Sequence, residues 1–261
     1  MQLYSNNLIG THPSKQYQLF SGPDSEVLYQ QNLKNQSEDW YYRNVKIEYD
    51  RNSNGHRCKE LTDIDQDNYI LYAGCSFTEG IGLELEKTYP YITSELLGCD
   101  YYNLAVSGAG NDLALHNTFV WLCSVVKKPK AVIFQWPFTE RLFTVATDPT
   151  GLPVDRDMGI RTINPHGKDD DVQRLVRFAD EMYYFKTVEL LNKQKINHLR
   201  SLLNIPIIEV CLQGGTGFQD DNLVHFEHVL NDFARDNHYG IKSHRAFSEK
   251  LYTYIQKKYD I

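Results

Sequence analysis

From Asp67 onward, short apolar runs alternate with stretches whose apolar positions recur every three to four residues. That is the pattern of buried parallel strands joined by crossover helices. Strands are predicted at Tyr69 to Gly74, Tyr101 to Ala105, Ala131 to Trp136 and Ile205 to Leu212. Helices are predicted over Tyr89 to Leu97 and Asn111 to Val126, the second followed by Lys127 and Lys128, where a helix dipole favours positive charge. A longer helix is expected from about Asp171 to Leu203, because Leu175, Phe178, Met182, Phe185, Val188, Leu191, Ile196 and Leu199 recur at roughly helical spacing. Helical patterns at about Leu223 to Arg235 and Ser243 to Lys257 complete the series.

The first 65 or so residues break this pattern: they are rich in Asn, Gln, Ser, Tyr and Asp and have little sustained period. They are expected to form an irregular N-terminal arm (1–65) packed on an α/β domain (66–261). Within the arm, Asn52-Ser53-Asn54-Gly55 reads as a tight turn, since Asn and Gly tolerate left-handed conformations. Residues from Thr147 to Asp171, rich in Asp, Gly, Pro and Thr, show no periodic face and are expected to be a substrate-facing loop or a solvated connection.

Composition changes the picture in three ways. The 41% hydrophobic and 23% charged content of the 261 residues belongs to a globular chain, and no apolar run approaches the about 20 residues of a membrane helix. The opening MQLYSNNLIGTHPSKQ lacks the basic-then-apolar order of a secretory signal, so synthesis and residence in the cytoplasm are expected, with association with a virus particle as the variant if the chain is phage-encoded. A net charge of -7 with scattered basic residues argues against nucleic-acid binding. Cys58, Cys75, Cys99, Cys123 and Cys211, an odd number without a CxxC pair, suit reduced, packed thiols better than disulfides or a zinc site. Asp169-Asp170-Asp171 and Asp220-Asp221 read as solvated or helix-start carboxylates rather than a metal site, and Gly214-Gly-Thr-Gly217 lacks the spacing and Lys of a phosphate loop. No metal, no organic cofactor and no membrane partner are expected; oligomeric state is left open.

The segment with the most chemistry is Tyr69-Ile-Leu-Tyr-Ala-Gly-Cys-Ser-Phe-Thr-Glu-Gly80, an apolar strand running into a small-residue turn that contains a serine. A serine there stands at the carboxyl end of a parallel strand, where open α/β sheets place ligands, and beside a helix start whose free N–H groups stabilise negative charge. It also has an ordinary reading as a helix cap. Downstream, Asn103-Leu-Ala-Val-Ser-Gly-Ala-Gly-Asn111 again follows a strand and opens a helix, and Ala234-Arg-Asp-Asn-His-Tyr-Gly-Ile-Lys-Ser-His244 precedes the last helix.

These three segments resemble, in chain order, blocks of the SGNH (GDSL-like) hydrolases, including bacterial and phage-encoded members. Gly74, Ser76, Thr78 and Gly80 match the first block, with Cys75 in place of its Asp; Gly108 matches the oxyanion-hole glycine of the second; Asp236 and His238 match the acid and base of the last, one residue closer together than is usual there. The faint Tyr49-Asp-Arg-Asn-Ser-Asn-Gly-His-Arg57 resembles a stretch that precedes the first block in some members. The resemblance implies a three-layer, flavodoxin-like parallel sheet flanked by helices. It also implies a serine esterase in which Ser76 is the nucleophile, His238 the base, Asp236 its support, and the N–H groups of Ser76 and Gly108 the oxyanion donors. His244 is the alternative base. The third block, where the family has Gly-x-Asn-Asp, is here Phe134-Gln-Trp-Pro-Phe-Thr-Glu-Arg141; Gln135, Thr139 or Arg141 is the candidate substitute for the missing Asn donor. The expected substrate is a small ester, with O-acetyl groups on carbohydrate in view. A binding or structural module of the same fold and an O-acyltransferase are the competing readings.

Overall fold

The computed structural model describes residues 17–139, 141–146, 159–163, 177, 184–212, 223–259 and 261. Its centre is a five-stranded, all-parallel sheet made of β3 (Tyr69–Ala73), β4 (Asp100–Asn103), β5 (Ala131–Trp136), β8 (Ile207–Leu212) and β9 (Val224–Phe226) in the order β4-β3-β5-β8-β9. All residues of β3, β5 and β8 are buried, which explains why these strands read as continuous apolar runs rather than alternating ones. Each buried Leu, Ile or Val side chain contributes about 1.5–3 kcal/mol.

The chain leaves β3 for β4 on one side and returns to β5 on the other. With right-handed crossovers, this reversal puts α3 (Tyr89–Leu97) and α4 (Asn111–Ser124) on opposite faces. Two more helices complete the layers: α6 (Ile241–Lys258) packs against α3, and α5 (Tyr184–Leu203) against α4. The architecture is therefore α/β with helices covering a parallel sheet, as expected. The α3 boundaries have local causes: Pro90 sits in its first turn, and Gly98 takes the left-handed conformation (φ +64°) that ends it. None of the described helices is long and apolar enough to cross a membrane.

Three expectations need correction. The helix expected at Leu223 to Arg235 is instead the edge strand β9 followed by turns: Val224 and Phe226 are buried with His225 exposed between them, a period of two. Leu230 and Phe233, which continue a helical spacing from Leu223 and Phe226, are exposed and lie outside the core. In α5 the buried positions are Asn192, Ile196 and Leu199, while Leu191 is exposed; the part of the expected helix before Tyr184 lies almost wholly outside the described residues. The stretch expected to be irregular contributes β7 (Gly159–Ile163), antiparallel to β6 (Leu142–Ala146); the rest of that stretch lies outside the described residues, as do both aspartate runs and Gly214 to Gly217.

Residues 17–65 hold few regular elements: β1 (Tyr17–Gln18) pairs with β2 (Tyr49–Asp50), and α1 (Glu26–Asn35) starts at Ser25, whose hydroxyl accepts the Leu28 N–H. The Asn52 to Gly55 turn forms as read, with the Asn52 side-chain oxygen accepting the N–H groups of Asn54 and His56 and Gly55 at φ +82°.

Candidate active site

The strand order changes direction between β3 and β5, and the crevice beyond their carboxyl ends is where such sheets take ligands. The chain emerging from β3 turns into a one-turn helix, α2 (Ser76–Glu79). The turn is tight. A Cβ on Gly74 would lie 2.4 Å from Thr78 Oγ1 and 2.7 Å from Gln135 Oε1, so only glycine lets the strand, the helix and β5 approach this closely. Cys75 occupies the capping position of α2, so Ser76 stands inside the helix and its hydroxyl is not a backbone cap.

That hydroxyl meets a histidine from 162 residues away: Ser76 Oγ lies 2.9 Å from His238 Nε2. On the other side of the ring, Nδ1 lies 2.6 Å from Asp236 Oδ2, and Oδ1 accepts the His238 backbone N–H at 3.1 Å. The Nδ1 contact is close without the alignment of a linear hydrogen bond, and Oδ2 has no other partner among the described residues. Asp236 and Ser76 are buried, whereas the imidazole is partly open to solvent. One residue between acid and base suffices because Asn237 adopts the left-handed conformation (φ +70°), folding Ala234 to His238 into a turn closed by the Ala234 N–H on the His238 carbonyl. Phe77 packs edge-on against the imidazole with centroids 4.6 Å apart and also meets Tyr239 and Phe138, limiting the ring's tilt.

The second turn, after β4, is joined to the first. The Leu104 N–H donates to the Tyr72 carbonyl and Val106 N–H to Gly74, extending the β3–β4 pairing into the turns, and the Ser107 N–H donates to the Glu79 carboxylate at 2.6 Å. Gly108 follows at φ +81°, with nothing within 4 Å of where its Cβ would be, so backbone conformation rather than crowding selects glycine there and the space in front of it is open. Among the described residues, neither the Gly108 nor the Ser76 N–H donates to a protein acceptor.

Of the three candidates for the missing side-chain donor, Gln135 is already committed elsewhere. Gln135 is fully buried; its Oε1 accepts the Cys75 N–H (3.1 Å), the Thr78 hydroxyl (3.0 Å) and the Cys75 thiol, and its Nε2 donates to the Trp136 carbonyl. It therefore clamps the serine turn onto β5. Thr139 sits half-buried in the turn after β5. Arg141 is half-buried beside the second turn, with its guanidinium 4.9 Å over the Phe138 ring and Nη1 3.5 Å from the Ala109 carbonyl, next to Gly108. His244 does not approach Ser76: it is buried in α6, its Nδ1 accepts the Tyr89 N–H at 3.0 Å, and burial, helped by its neighbours His238 and Arg57, pushes its pKa down to about 3. Trp136 is buried in the core, where its indole donates to Glu209.

Several residues that hold the site carry no assigned role in the sequence reading. Arg57 is buried and donates to the carbonyls of Glu79, Gly80 and Leu83 just past α2, while Arg51 pairs with Glu79 at 2.5 Å; both belong to the faint segment at Tyr49 to Arg57. Gly82 and Arg235 stand behind Asp236, and the only sequence signal for them is that Arg235 precedes Asp236 directly. Among the described residues no three His, Cys, Asp or Glu side chains stand together as metal ligands. Among the described residues, a cavity of about 380 Å³ lies between α4 and α5 and another of about 600 Å³ is lined by Trp40, Tyr41 and Phe233; Ser76 lines neither.

No family model and no curated protein matches the chain. Among solved structures it is similar in backbone course to a carbohydrate esterase family 2 enzyme of Myceliophthora fergusii, at 16% identity and a TM-score of 0.41, over 73% of this chain and 66% of that one. An acetyl xylan esterase from Butyrivibrio proteoclasticus (15% identity, TM-score 0.40, 74% of this chain and 64% of that one) is similar to the same degree. So is an esterase from a Pseudoalteromonas species (14%, 0.40, 73% and 98%). The chain thus spans about two thirds of the length of the first two. At such values the likeness is a distant one of backbone course, and the functional reading rests on the site itself.

Proposed function

We propose that the chain is a serine esterase of the SGNH type, acting on a small ester through an acyl-enzyme on Ser76. The observation that carries this is the Ser76 Oγ to His238 Nε2 approach of 2.9 Å, with Asp236 behind the imidazole. In the proposed cycle His238 Nε2 takes the hydroxyl proton as Ser76 Oγ attacks the ester carbonyl. The oxyanion forms in front of the Ser76 and Gly108 N–H groups, each such donor contributing about 3–4 kcal/mol to the transition state. His238 then hands the proton to the departing alcohol oxygen, and a water repeats the sequence to release the acid. Asp236 keeps the Nδ1 proton on the far side of the ring and offsets the imidazolium charge. The substrate class, an O-acetylated carbohydrate, follows from the family resemblance.

A specific observation favours a slower second reading. With both ends of the Gln135 amide engaged, Gln135 does not take the place of the family's Asn beside the two backbone donors. A fold-conserving binding module would have that feature, and so would an acyltransferase whose acceptor hydroxyl replaces water. Assay of short-chain esters with wild type and Ser76→Ala separates them: turnover abolished in the folded variant supports the esterase, equal turnover in both removes Ser76 as nucleophile, and ester product formed on an added alcohol acceptor in preference to acid indicates transfer.

A further inference from the structure

The arm contributes to the acid-base loop in a way that packing alone does not require. Arg235, directly before Asp236, is buried and donates through Nε (2.9 Å) and Nη2 (2.5 Å) to Asp24, which is 1% exposed; Nη2 also reaches the Leu19 carbonyl, and the guanidinium lies over the rings of Phe20 and Tyr29. Asp24 accepts the Tyr49 hydroxyl (2.5 Å), that hydroxyl accepts the Gly82 N–H (2.8 Å), and the Gly82 carbonyl accepts the Arg235 N–H (3.1 Å), closing a ring around the Arg235 backbone. Asn32 then donates to the Arg235 carbonyl (2.9 Å) and to the Asn237 side chain. Both backbone polar groups of Arg235 and its side chain are thus held, with Leu19, Asp24 and Asn32 of the arm each hydrogen-bonded to it. At its other end the same Ser21 to Asp24 turn meets the second active-site turn: a Cβ on Gly22 would lie 3.0 Å from Ser107 Oγ, one residue from Gly108.

As a stabiliser, a buried ion pair is a poor device, since desolvation offsets most of its attraction and an apolar pair of similar volume serves as well or better. As a clamp it is effective, because a guanidinium fork fixes direction as well as distance. We infer that the Asp24–Arg235 pair makes the N-terminal arm a working part of the site, with both residues positioning Asp236 against His238. This inference rests on the proposed roles of Asp236 and His238.

The test uses the full chain with Asp24→Asn, and a double variant, Asp24→Leu with Arg235→Met, in which no buried charge is left unpaired. Each is assayed with a short-chain ester for kcat and KM, and in the Ser76→Ala background the His238 imidazole is titrated by NMR. The expected result is a kcat lowered about ten-fold or more at nearly constant KM, with a displaced His238 titration, in protein whose circular dichroism is native. A folded double variant with wild-type kcat and an unchanged His238 titration overturns the inference. If wild type turns over no ester, the esterase reading fails, and the His238 titration still decides whether the pair positions the imidazole's surroundings.

Discussion

Replacing Gly82 with alanine puts a methyl carbon 2.2 Å from Asp236 Oδ1, 2.8 Å from its Cγ and 2.9 Å from Ala234 Cβ, on a backbone at φ +82°. Two costs follow. The left-handed conformation costs an L-residue about 1–2 kcal/mol. Restoring ordinary van der Waals distance to Oδ1 then requires a shift of about 1 Å, and because Asp236 is held by its backbone on both sides, the shift falls on the carboxylate and its contact with His238 Nδ1. Displacements of that size at a reacting constellation lower turnover about 10²-fold, well short of the about 10⁴-fold that follows when a triad carboxylate is neutralised. The control is Gly98→Ala, at φ +64° with nothing within 4 Å, which carries the conformational cost alone. Urea denaturation and steady-state kinetics on both variants are the assay. A larger loss of stability in Gly82→Ala than in Gly98→Ala, with a kcat about 10²-fold lower only in Gly82→Ala, is expected; equal kcat in the two would refute the claim that the Asp236 carboxylate's position limits turnover.

Gln135→Leu strands the Cys75 N–H in the core and leaves the Thr78 hydroxyl with only its Tyr89 partner, so it should lower stability by about 1–3 kcal/mol and turnover with it, whereas loss of activity at unchanged stability would return Gln135 to an oxyanion role. Burial holds the pKa of both His56 and His244 down to about 3, below the about 6.5 of an unfolded chain, so between those values the unfolded state binds more protons and stability falls as pH falls. The slope is about 1.4 kcal/mol per pH unit for each histidine at full difference in protonation, read by urea titration from pH 7 to pH 4; a slope unaltered in His244→Gln would contradict this assignment. Arg141→Ala removes a cation beside the Gly108 turn and should raise KM for an anionic ester more than for a neutral one; equal effects on both would place Arg141 in a packing role.

What could be read in the sequence was local. The strand from Tyr69 and the small-residue turn after it are visible because a strand buried on both faces must be apolar throughout and a turn this tight admits only glycine at Gly74. The chain order of Ser76, Gly108 and His238 then suggested which turns face one crevice. The edge strand β9 escaped because three residues carry too little alternation to outweigh the helical spacing of Leu230 and Phe233, which solvent tolerates singly. The role of Gln135 escaped because a glutamine at a strand end has the same sequence signature whether its amide faces a ligand or a neighbouring turn. Asp24 and Arg235 stand 211 residues apart, and no periodicity relates an aspartate in an irregular arm to an arginine in a distant loop. Long-range polar pairing is set by the assembled fold.

In the proposed chemistry, His238 makes Ser76 a nucleophile. The most direct test is exposure of wild type, Ser76→Ala and His238→Ala to a fluorophosphonate, with the adduct located by mass spectrometry. An adduct on Ser76 is expected in wild type, slowed by orders of magnitude in folded His238→Ala and absent in Ser76→Ala. Folded wild type that forms no adduct, or labels Ser76 as fast without His238, would contradict it.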